Sequence, residues 1–327
     1  MTGLNTKNKV AAILRKSSGW LSGEAISAEL GISRAAVAKH VNSLRDEGFL
    51  IDSASRRGYL LKIEPDTIDL KLIAKSLKTK IIGKGEWQWL PETTSTNRAG
   101  AIGAAGGMAD GSLIMAERQT TGRGRRGRQW FSPPRSIFFS TLLRPKFPAE
   151  KLPWLMIAAT AAVHKTVSAL VKGEANIKWP NDVMVDNCKL AGILVESGLA
   201  AGELEWAVVG IGLNVNVEVE EFPAELQSHT TSVFEAAGQE TFSRNALYAE
   251  IINSLDNFYL KLLKGESGEL AAYWQQAAGF IGRDITVRSG DVELKGKALG
   301  LNADGRLILG LADGSETIIE SADYLPV

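Results

Sequence analysis

The sequence predicts an α+β multidomain chain: an N-terminal winged helix-turn-helix, a central α/β core and a small β-barrel-like terminal domain. Three observations carry this. Apolar residues recur at helical spacing in three short stretches, with a glycine turn between the second and third. From about residue 80 to 280, apolar strand runs mix with an alanine-rich helix. From Gly282 onward, short alternating runs are broken by Asp-Gly and Gly-Asp turn signals.

Val10, Ile13 and Leu14 mark a first helix ending near Ser17-Ser18-Gly19. Ser22 caps a second, which carries Ile26 and Leu30 inward, and Gly31-Ile32-Ser33 supplies a tight turn and a new cap. Val37, Val41 and Leu44 are the buried stripe of the third helix, which presents Arg34, Lys39, His40 and Asn42 on its other side. These side chains suit reading base edges or gripping phosphates in a major groove. The plainer alternative is a three-helix bundle with a solvated charged face. Phe49-Leu50-Ile51, a polar turn from Asp52 to Arg57, and Gly58-Tyr59-Leu60-Leu61 read as a β-hairpin, the wing. A domain boundary near residue 65 follows, with a helical connector from Leu70 to Leu77. Leu113-Ile114-Met115, Ile137–Leu143, Leu190–Val195 and Trp206–Ile211 read as buried strands, and Leu155–Val171 as a helix introduced by Pro153. Ile285/Val287, Val292/Leu294, Leu307/Leu309 and Ile318/Ile319, separated by Gly290-Asp291, Asp304-Gly305 and Asp313-Gly314, form the terminal domain. The domains are therefore 1–65, 66–281 and 282–327.

Composition narrows the function classes. The 327 residues hold 37 Lys and Arg against 37 Asp and Glu, so no global charge draws the chain to nucleic acid or membrane. Residues 1–60 nevertheless hold nine basic against five acidic residues, leaving 28 against 32 for the rest. A weakly basic module ahead of a mildly acidic body fits a DNA reader attached to something else. No apolar run approaches the ~20 residues of a membrane span, and no secretory signal opens the chain. With Cys188 the only cysteine, an internal disulfide is impossible and a cytoplasmic location is expected.

The densest chemical signal is Gly122-Arg123-Gly124-Arg125-Arg126-Gly127-Arg128-Gln129-Trp130. Glycines let backbone N–H groups approach an anion, and guanidinium forks bind carboxylate or phosphate, so a mobile cationic loop for a polyphosphate is expected. An RNA-binding Arg/Gly tract is the alternative, but such tracts are long, and this one is flanked by strands. Lys178-Trp179-Pro180-Asn181-Asp182 and Lys189-Leu190-Ala191-Gly192-Ile193-Leu194 place two lysines around a rigid turn feeding a buried strand. A lysine at that mouth neutralises charge developing on a phosphate or carboxylate, unless it merely snorkels to the surface. Cys188 reads as an apolar filler. Gly210-Ile211-Gly212-Leu213-Asn214 lacks the third glycine of a dinucleotide fingerprint, which excludes a Rossmann site. His40, His164 and His229 are too scattered for a zinc site.

Taken together, these segments resemble the bifunctional biotin protein ligases that also repress the biotin operon, the BirA type. The resemblance covers nearly the whole chain. It runs through Ser22-Gly23-Glu24, Ser33-Arg34-Ala35-Ala36, Leu44-Arg45-Asp46, Ser95-Thr96-Asn97, Gln119, Gly122–Trp130, Lys178–Asp182, Lys189–Glu196 and Gly210–Asn214. It implies a mixed-sheet catalytic domain of the class II synthetase/biotin ligase kind between the winged helix-turn-helix and an SH3-like β-barrel. It further implies that Ser95, Thr96, Asn97, Gln119, Arg123, Gly124 and Arg125 hold biotin. Lys189 would touch the biotin carboxylate and the attacked phosphate, making Lys189, Arg123 and Arg125 the catalytic cations. Trp130, Lys178, Asn181 and Asn214 would lie on the ATP/adenylate side, while Arg34, Lys39, His40 and Asn42 would contact operator DNA. Thr94 stands where the family carries Asp, and Glu320-Ser321-Ala322-Asp323-Tyr324 lacks the family's Gly-Glu before a basic residue. ATP contacts from that last domain are accordingly not carried over.

The implied reaction is that of an ATP-consuming, AMP-forming acid–amine ligase. Biotin, ATP and Mg²⁺ yield biotinyl-5'-AMP, and biotin then passes to one lysine of a biotin carboxyl carrier protein. The adenylate-bound chain would pair as a homodimer on operator DNA, with no membrane partner. A lipoate-type ligase is disfavoured because its Arg-Arg-x-x-Gly-Gly-Gly run is absent, and a ligand-sensing transcription factor without ligase activity because the arginine loop and Lys189 are present.

Overall fold

The computed structural model describes residues 6–17, 19–46, 49–63, 66–289, 292–319 and 323–325, in two compact units, Met1–Thr67 and Ile68–Val327. Ser18, residue 65, the Gly290-Asp291 turn and the Glu320–Ala322 stretch lie outside the described residues.

In the first unit, helices α1 (Thr6–Lys16), α2 (Gly23–Leu30) and α3 (Arg34–Asp46) bury Val10, Leu14, Ile26, Val37, Val41 and Leu44 in one cluster, which Ile51 closes. Ser22 and Ser33 accept hydrogen bonds from the backbone N–H groups of Ala25 and Ala36, both at 3.1 Å, which satisfies a donor that each helix start leaves open. Gly31, at φ 64°, makes the left-handed turn into α3. The hairpin β1 (Leu50–Ala54) and β2 (Gly58–Ile63) follows. The expected turn from Asp52 to Arg57 is shorter than predicted: Asp52, Ser53 and Ala54 pair with Leu60, Tyr59 and Gly58. The ladder continues because Gly58, at φ 95°, passes beneath the Leu21 carbonyl, where a Cβ would stand 2.1 Å from the oxygen. Leu21 and Tyr59 exchange two backbone hydrogen bonds of 2.8 Å, tying the wing to the start of α2.

The second unit opens with α4 (Leu70–Ser76) and is built on a seven-stranded sheet. Its order is β3 (Trp87–Thr93), β4 (Ser112–Gln119), β5 (Ile137–Leu143), β9 (Glu203–Leu213), β8 (Cys188–Ala200), β7 (Asp182–Val185) and β6 (Ala175–Lys178). Only β3 and β4 run parallel, so the sheet is mixed. Both faces are covered. Leu113 and Met115 of β4 join the large cluster under α6 (Pro153–Val167), α9 (Arg244–Leu263) and α10 (Gly268–Ala278). The intervening Ile114 belongs to a smaller cluster with Ala104 of α5 (Thr96–Ala105), Leu142 and Val208. Helix α6 stops at Val167 rather than Val171, because the chain leaves its axis to bond the Lys172 N–H to the Ala236 carbonyl at 2.9 Å. Two single turns, α7 (Ala224–Gln227) and α8 (Val233–Ala236), follow the central sheet.

The C-terminal strands form an antiparallel sheet ordered β13 (Glu316–Ile319), β12 (Leu307–Gly310), β11 (Val292–Leu301), β10 (Asp284–Ser289) and β14 (Asp323–Leu325). Ile285, Val287, Ala298, Leu307 and Leu309 join the large cluster, and the Trp154 indole N–H donates to the Ala303 carbonyl at 3.0 Å. Among the described residues no helix is long and apolar enough to cross a membrane.

His164, near the end of α6, is buried between the Tyr273 hydroxyl at 2.8 Å and the Ala175 carbonyl at 3.1 Å, and burial pushes its pKa below 6.5. The unfolded chain therefore takes up this proton first, so the stability that the neutral ring supports is lost as pH falls below 6.5. Between pH 7 and 5 the melting temperature of His164→Gln should fall less than that of the parent. Equal slopes in thermal melts would contradict this.

Candidate active site

The cleft opens on the α5 face of the sheet, and its back wall is the start of that helix. Ser95 is the N-cap, in extended backbone, and its side chain makes no capping bond, which leaves the hydroxyl to the cleft. The Thr96 N–H and hydroxyl donate to Gln119 Oε1 at 2.9 and 3.3 Å, so the last residue of β4 does the capping instead. Gln119 Nε2 then donates to Ser132 at 3.3 Å. Asn97 is only 3 % exposed. Its Oδ1 accepts from Ser140 at 2.7 Å, and its Nδ2 donates to the Leu194 carbonyl at 3.2 Å and to Glu196 Oε2 at 2.9 Å. With its amide fully engaged, Asn97 contributes by holding α5 in place.

The arginine loop is a closed hairpin. Trp130 N–H donates to the Gly122 carbonyl at 2.9 Å, Gly124 N–H to the Arg128 carbonyl at 2.7 Å, and Arg126 (φ 54°) and Gly127 (φ 74°) make the turn. Arg125 donates to Asn181 Oδ1 at 3.3 Å, and Arg123 lies 3.7 Å from Glu196. Arg128 and Gln129 also face the cleft.

The opposite wall explains three glycines inside strands. A Cβ on Gly192 or Gly212, paired neighbours on β8 and β9, would meet the Trp130 ring at 2.7 and 2.8 Å. A Cβ on Gly210 would stand 1.9 Å from Asn97 Oδ1. The strands are bare here so that the indole and the amide can lie on the backbone. Lys189 sits 5.2 Å from the Trp130 ring centroid and forms an ion pair of 2.8 Å with Asp182 Oδ1. Asn181 is pinned by Ile193, its Nδ2 donating to that carbonyl at 3.0 Å.

The structure thus brings Ser95, Thr96, Asn97, Gln119, Arg123, Gly124, Arg125, Trp130, Asn181 and Lys189 to one cleft. Lys178 and Asn214 do not line it. Lys178 ends β6, opposite Asp182 in the register. Asn214, 1 % exposed, donates to the Thr231 carbonyl at 2.9 Å and links β9 to that loop, while its Oδ1 has no partner among the described residues. Two further residues have roles visible only in three dimensions: Asp182, the partner of Lys189, and Ser140, which bonds Asn97. Of the two, Ser140 leaves a trace in the sequence, its hydroxyl and that of Thr141 interrupting an apolar run.

In the first unit Arg34, Lys39 and Asn42 are exposed and His40 partly so, opposite the buried stripe of α3. Arg45 bonds Asn42 Oδ1 at 3.1 Å and the Ile51 carbonyl at 2.6 Å, joining α3 to the wing.

Residues 92–214, which contain every cleft residue named above, match the biotin/lipoate A/B protein ligase family. Residues 6–60 match a helix-turn-helix domain, and 280–323 the biotin protein ligase C-terminal domain. The chain is 32% identical to the bifunctional ligase/repressor BirA of Bacillus spizizenii over 97% of both chains. The chain belongs to the BirA-type biotin protein ligase family. The Escherichia coli bifunctional ligase/repressor BirA is 34% identical over 88% of this chain and 87% of its own. The biotin protein ligase of Aquifex aeolicus, solved in complex with biotin and ATP, superposes with a TM-score of 0.62 at 27% identity, covering 73% of this chain and 97% of that one. Family membership accounts for the three-part architecture, including the antiparallel C-terminal sheet.

Proposed function

We propose that the chain activates biotin with ATP to biotinyl-5'-AMP, transfers biotin to one lysine of a biotin carboxyl carrier protein, and represses biotin genes through its winged helix-turn-helix. One observation carries the ligase reading: Arg123 and Arg125 of the arginine hairpin and Lys189 of β8 converge on one cleft with a helix start whose polar groups Gln119 orders. Carboxylate and phosphate are the groups such a cluster favours.

The biotin carboxylate attacks the α-phosphorus of ATP, the bond to the β-phosphate oxygen breaks, and pyrophosphate leaves. Lys189, fixed by Asp182 and Trp130, and the guanidinium groups of Arg123 and Arg125 stabilise the charge that gathers on the α-phosphate. The carrier lysine then attacks the acyl carbon, AMP leaves, and the amine loses its proton. The arginine hairpin shields the mixed anhydride from water. Mg²⁺ would accompany ATP, where a hard cation on the phosphates would offset their charge during the attack. We assign Ser95, Thr96 and Gln119 to biotin and Trp130 and Asn181 to the nucleotide, with residues 1–65, 66–281 and 282–327 as DNA-binding, catalytic and terminal modules.

Incubation with biotin, ATP and Mg²⁺ should release pyrophosphate, and only when biotin is present; release independent of biotin would reject the assignment. Gly212→Ala should displace Trp130 and raise the KM for ATP roughly tenfold, the scale of an overpacked contact. An unchanged KM would remove Trp130 from the nucleotide site.

For repression, Arg34, Lys39 and Asn42 of α3 would reach one half-site. A unit with so small a basic surplus is too weakly attracted to DNA to bind alone, so pairing of adenylate-bound chains would supply the second half-site. Gel-shift titration on DNA upstream of biotin-synthesis genes should show affinity rising with biotin plus ATP. Affinity indifferent to both ligands would leave the ligase reading and remove the regulatory one.

A further inference from the structure

We propose that Glu196 is a positioning residue that latches the arginine hairpin to the sheet by acting on Arg123; its kinetic consequence rests on the ligase reading above, while the latch itself does not. Along β8 successive side chains point to opposite faces: Ile193 and Val195 pack with the large cluster, and Gly192 and Leu194 lie on the face of Trp130 and α5. Glu196 shares the face of Leu194, two residues further on, and bridges two groups. Its Oε2 accepts from Asn97 Nδ2 at 2.9 Å, and its Oε1 lies 3.7 Å from Arg123 Nη1. Asn97 is buried and held by Ser140 and the Leu194 carbonyl, so the carboxylate is presented in a fixed orientation.

An exposed ion pair usually contributes little, because two flexible chains must be ordered to form it and water screens the charges. Here a buried amide has already ordered one partner, so pairing restricts only the arginine. Arg123 sits at the base of the hairpin, bridged to Gln129 and next to the Gly122–Trp130 backbone bond. Restraining Arg123 therefore restrains the whole loop relative to the wall where Thr96 and Gln119 lie. Loss of the restraint should loosen the grip on the intermediate while the strand beneath stays in place.

Glu196→Gln keeps an oxygen for Asn97 and removes the charge facing Arg123, so the fold should persist by circular dichroism. Two readouts, each in a cycle with Arg123→Gln, test the latch. Trypsin cleavage after Arg125, Arg126 and Arg128, followed by mass spectrometry, should accelerate about threefold to fivefold in Glu196→Gln, the range of an exposed pair. Release of biotinyl-adenylate should accelerate by a similar factor, with the KM for biotin rising and kcat for adenylate formation changing less. The double variant should be no worse than Arg123→Gln alone. Parent-like cleavage in Glu196→Gln, or effects that multiply in the double variant, would overturn the latch. Absence of biotin-dependent pyrophosphate release from the parent protein would reject the ligase reading alone, since the cleavage cycle decides the latch without it.

Discussion

Lys189→Ala is expected to slow adenylate formation by roughly 10²- to 10³-fold while changing biotin affinity much less, the usual cost of deleting one preorganised charge stabiliser. The asymmetry follows from where the charge counts. On the proposed assignment the ground-state biotin carboxylate would also have Arg123 and Arg125 beside it, since both line the same cleft as Lys189. In the transition state the reacting carboxylate and the α-phosphate share one junction, and an interaction that strengthens only there lowers kcat rather than raising KM. Lys189 is suited to this because the Asp182 ion pair and the Trp130 ring hold the ammonium in place before substrate arrives. Rapid-quench single-turnover measurements with biotin titrations would separate the two effects. A parent-like single-turnover rate would remove Lys189 from the chemistry.

The second large effect is on stability. Arg244, 1 % exposed, starts α9 and donates to both oxygens of Glu117 at 2.9 and 3.0 Å and to the Ser136 carbonyl at 2.9 Å. It ties a helix of the large cluster to β4 two residues before Gln119, so the same contact that stabilises the fold holds the strand carrying the α5 cap. Arg244→Met leaves Glu117 the Arg135 backbone N–H at 3.1 Å but takes the guanidinium from both the carboxylate and the Ser136 carbonyl, which costs about 3 kcal/mol. Thermal melts should show the transition lowered by roughly 6–12 °C. A shift of under a degree would mean that solvent compensates the carboxylate.

How much of this was readable from residues alone depended on the kind of signal. Ile137–Leu143 is apolar but for Ser140 and Thr141 because both faces of β5 are covered, and the strand has those bounds. The runs Leu190–Val195 and Trp206–Ile211 mark only parts of β8 and β9, whose ends at the connecting turn, from Ser197 to Leu204, are more exposed and lose the apolar pattern. The four-residue strands β6 and β7 flank the Trp179-Pro180 turn and are too short for periodicity to register. Helix α9 is obscured because Asn253 and Asp256 interrupt its apolar stripe. They serve the backbone of the segment after α4, Asp256 alone accepting from the N–H groups of Lys80, Ile81 and Ile82.

The site divides in the same way. Four arginines among glycines announce an anion loop, whereas Ser95, Thr96 and Gln119 have no local signature and came only through the family resemblance, because Thr96 and Gln119 meet from 23 residues apart. Gly192, Gly210 and Gly212 did carry a signal. Glycine inside a strand marks a close approach, and the approaching groups, Trp130 and Asn97, are visible only in three dimensions. Lys178 and Asn214 show the converse, polar residues adjacent in sequence to the cleft that do not line it, Asn214 being bonded to the Thr231 carbonyl instead.

On the proposed function, one cleft both makes the adenylate and hands biotin to an amine. A single-turnover chase tests it: the protein is loaded with labelled biotin, ATP and Mg²⁺, then mixed with a biotin carboxyl carrier protein under conditions that block further activation. The prediction is that bound biotinyl-adenylate decays at the rate at which label appears on one carrier lysine, with AMP released in equal amount. Label that never reaches the carrier while adenylate persists, or carrier biotinylation without an adenylate preceding it, would contradict the account.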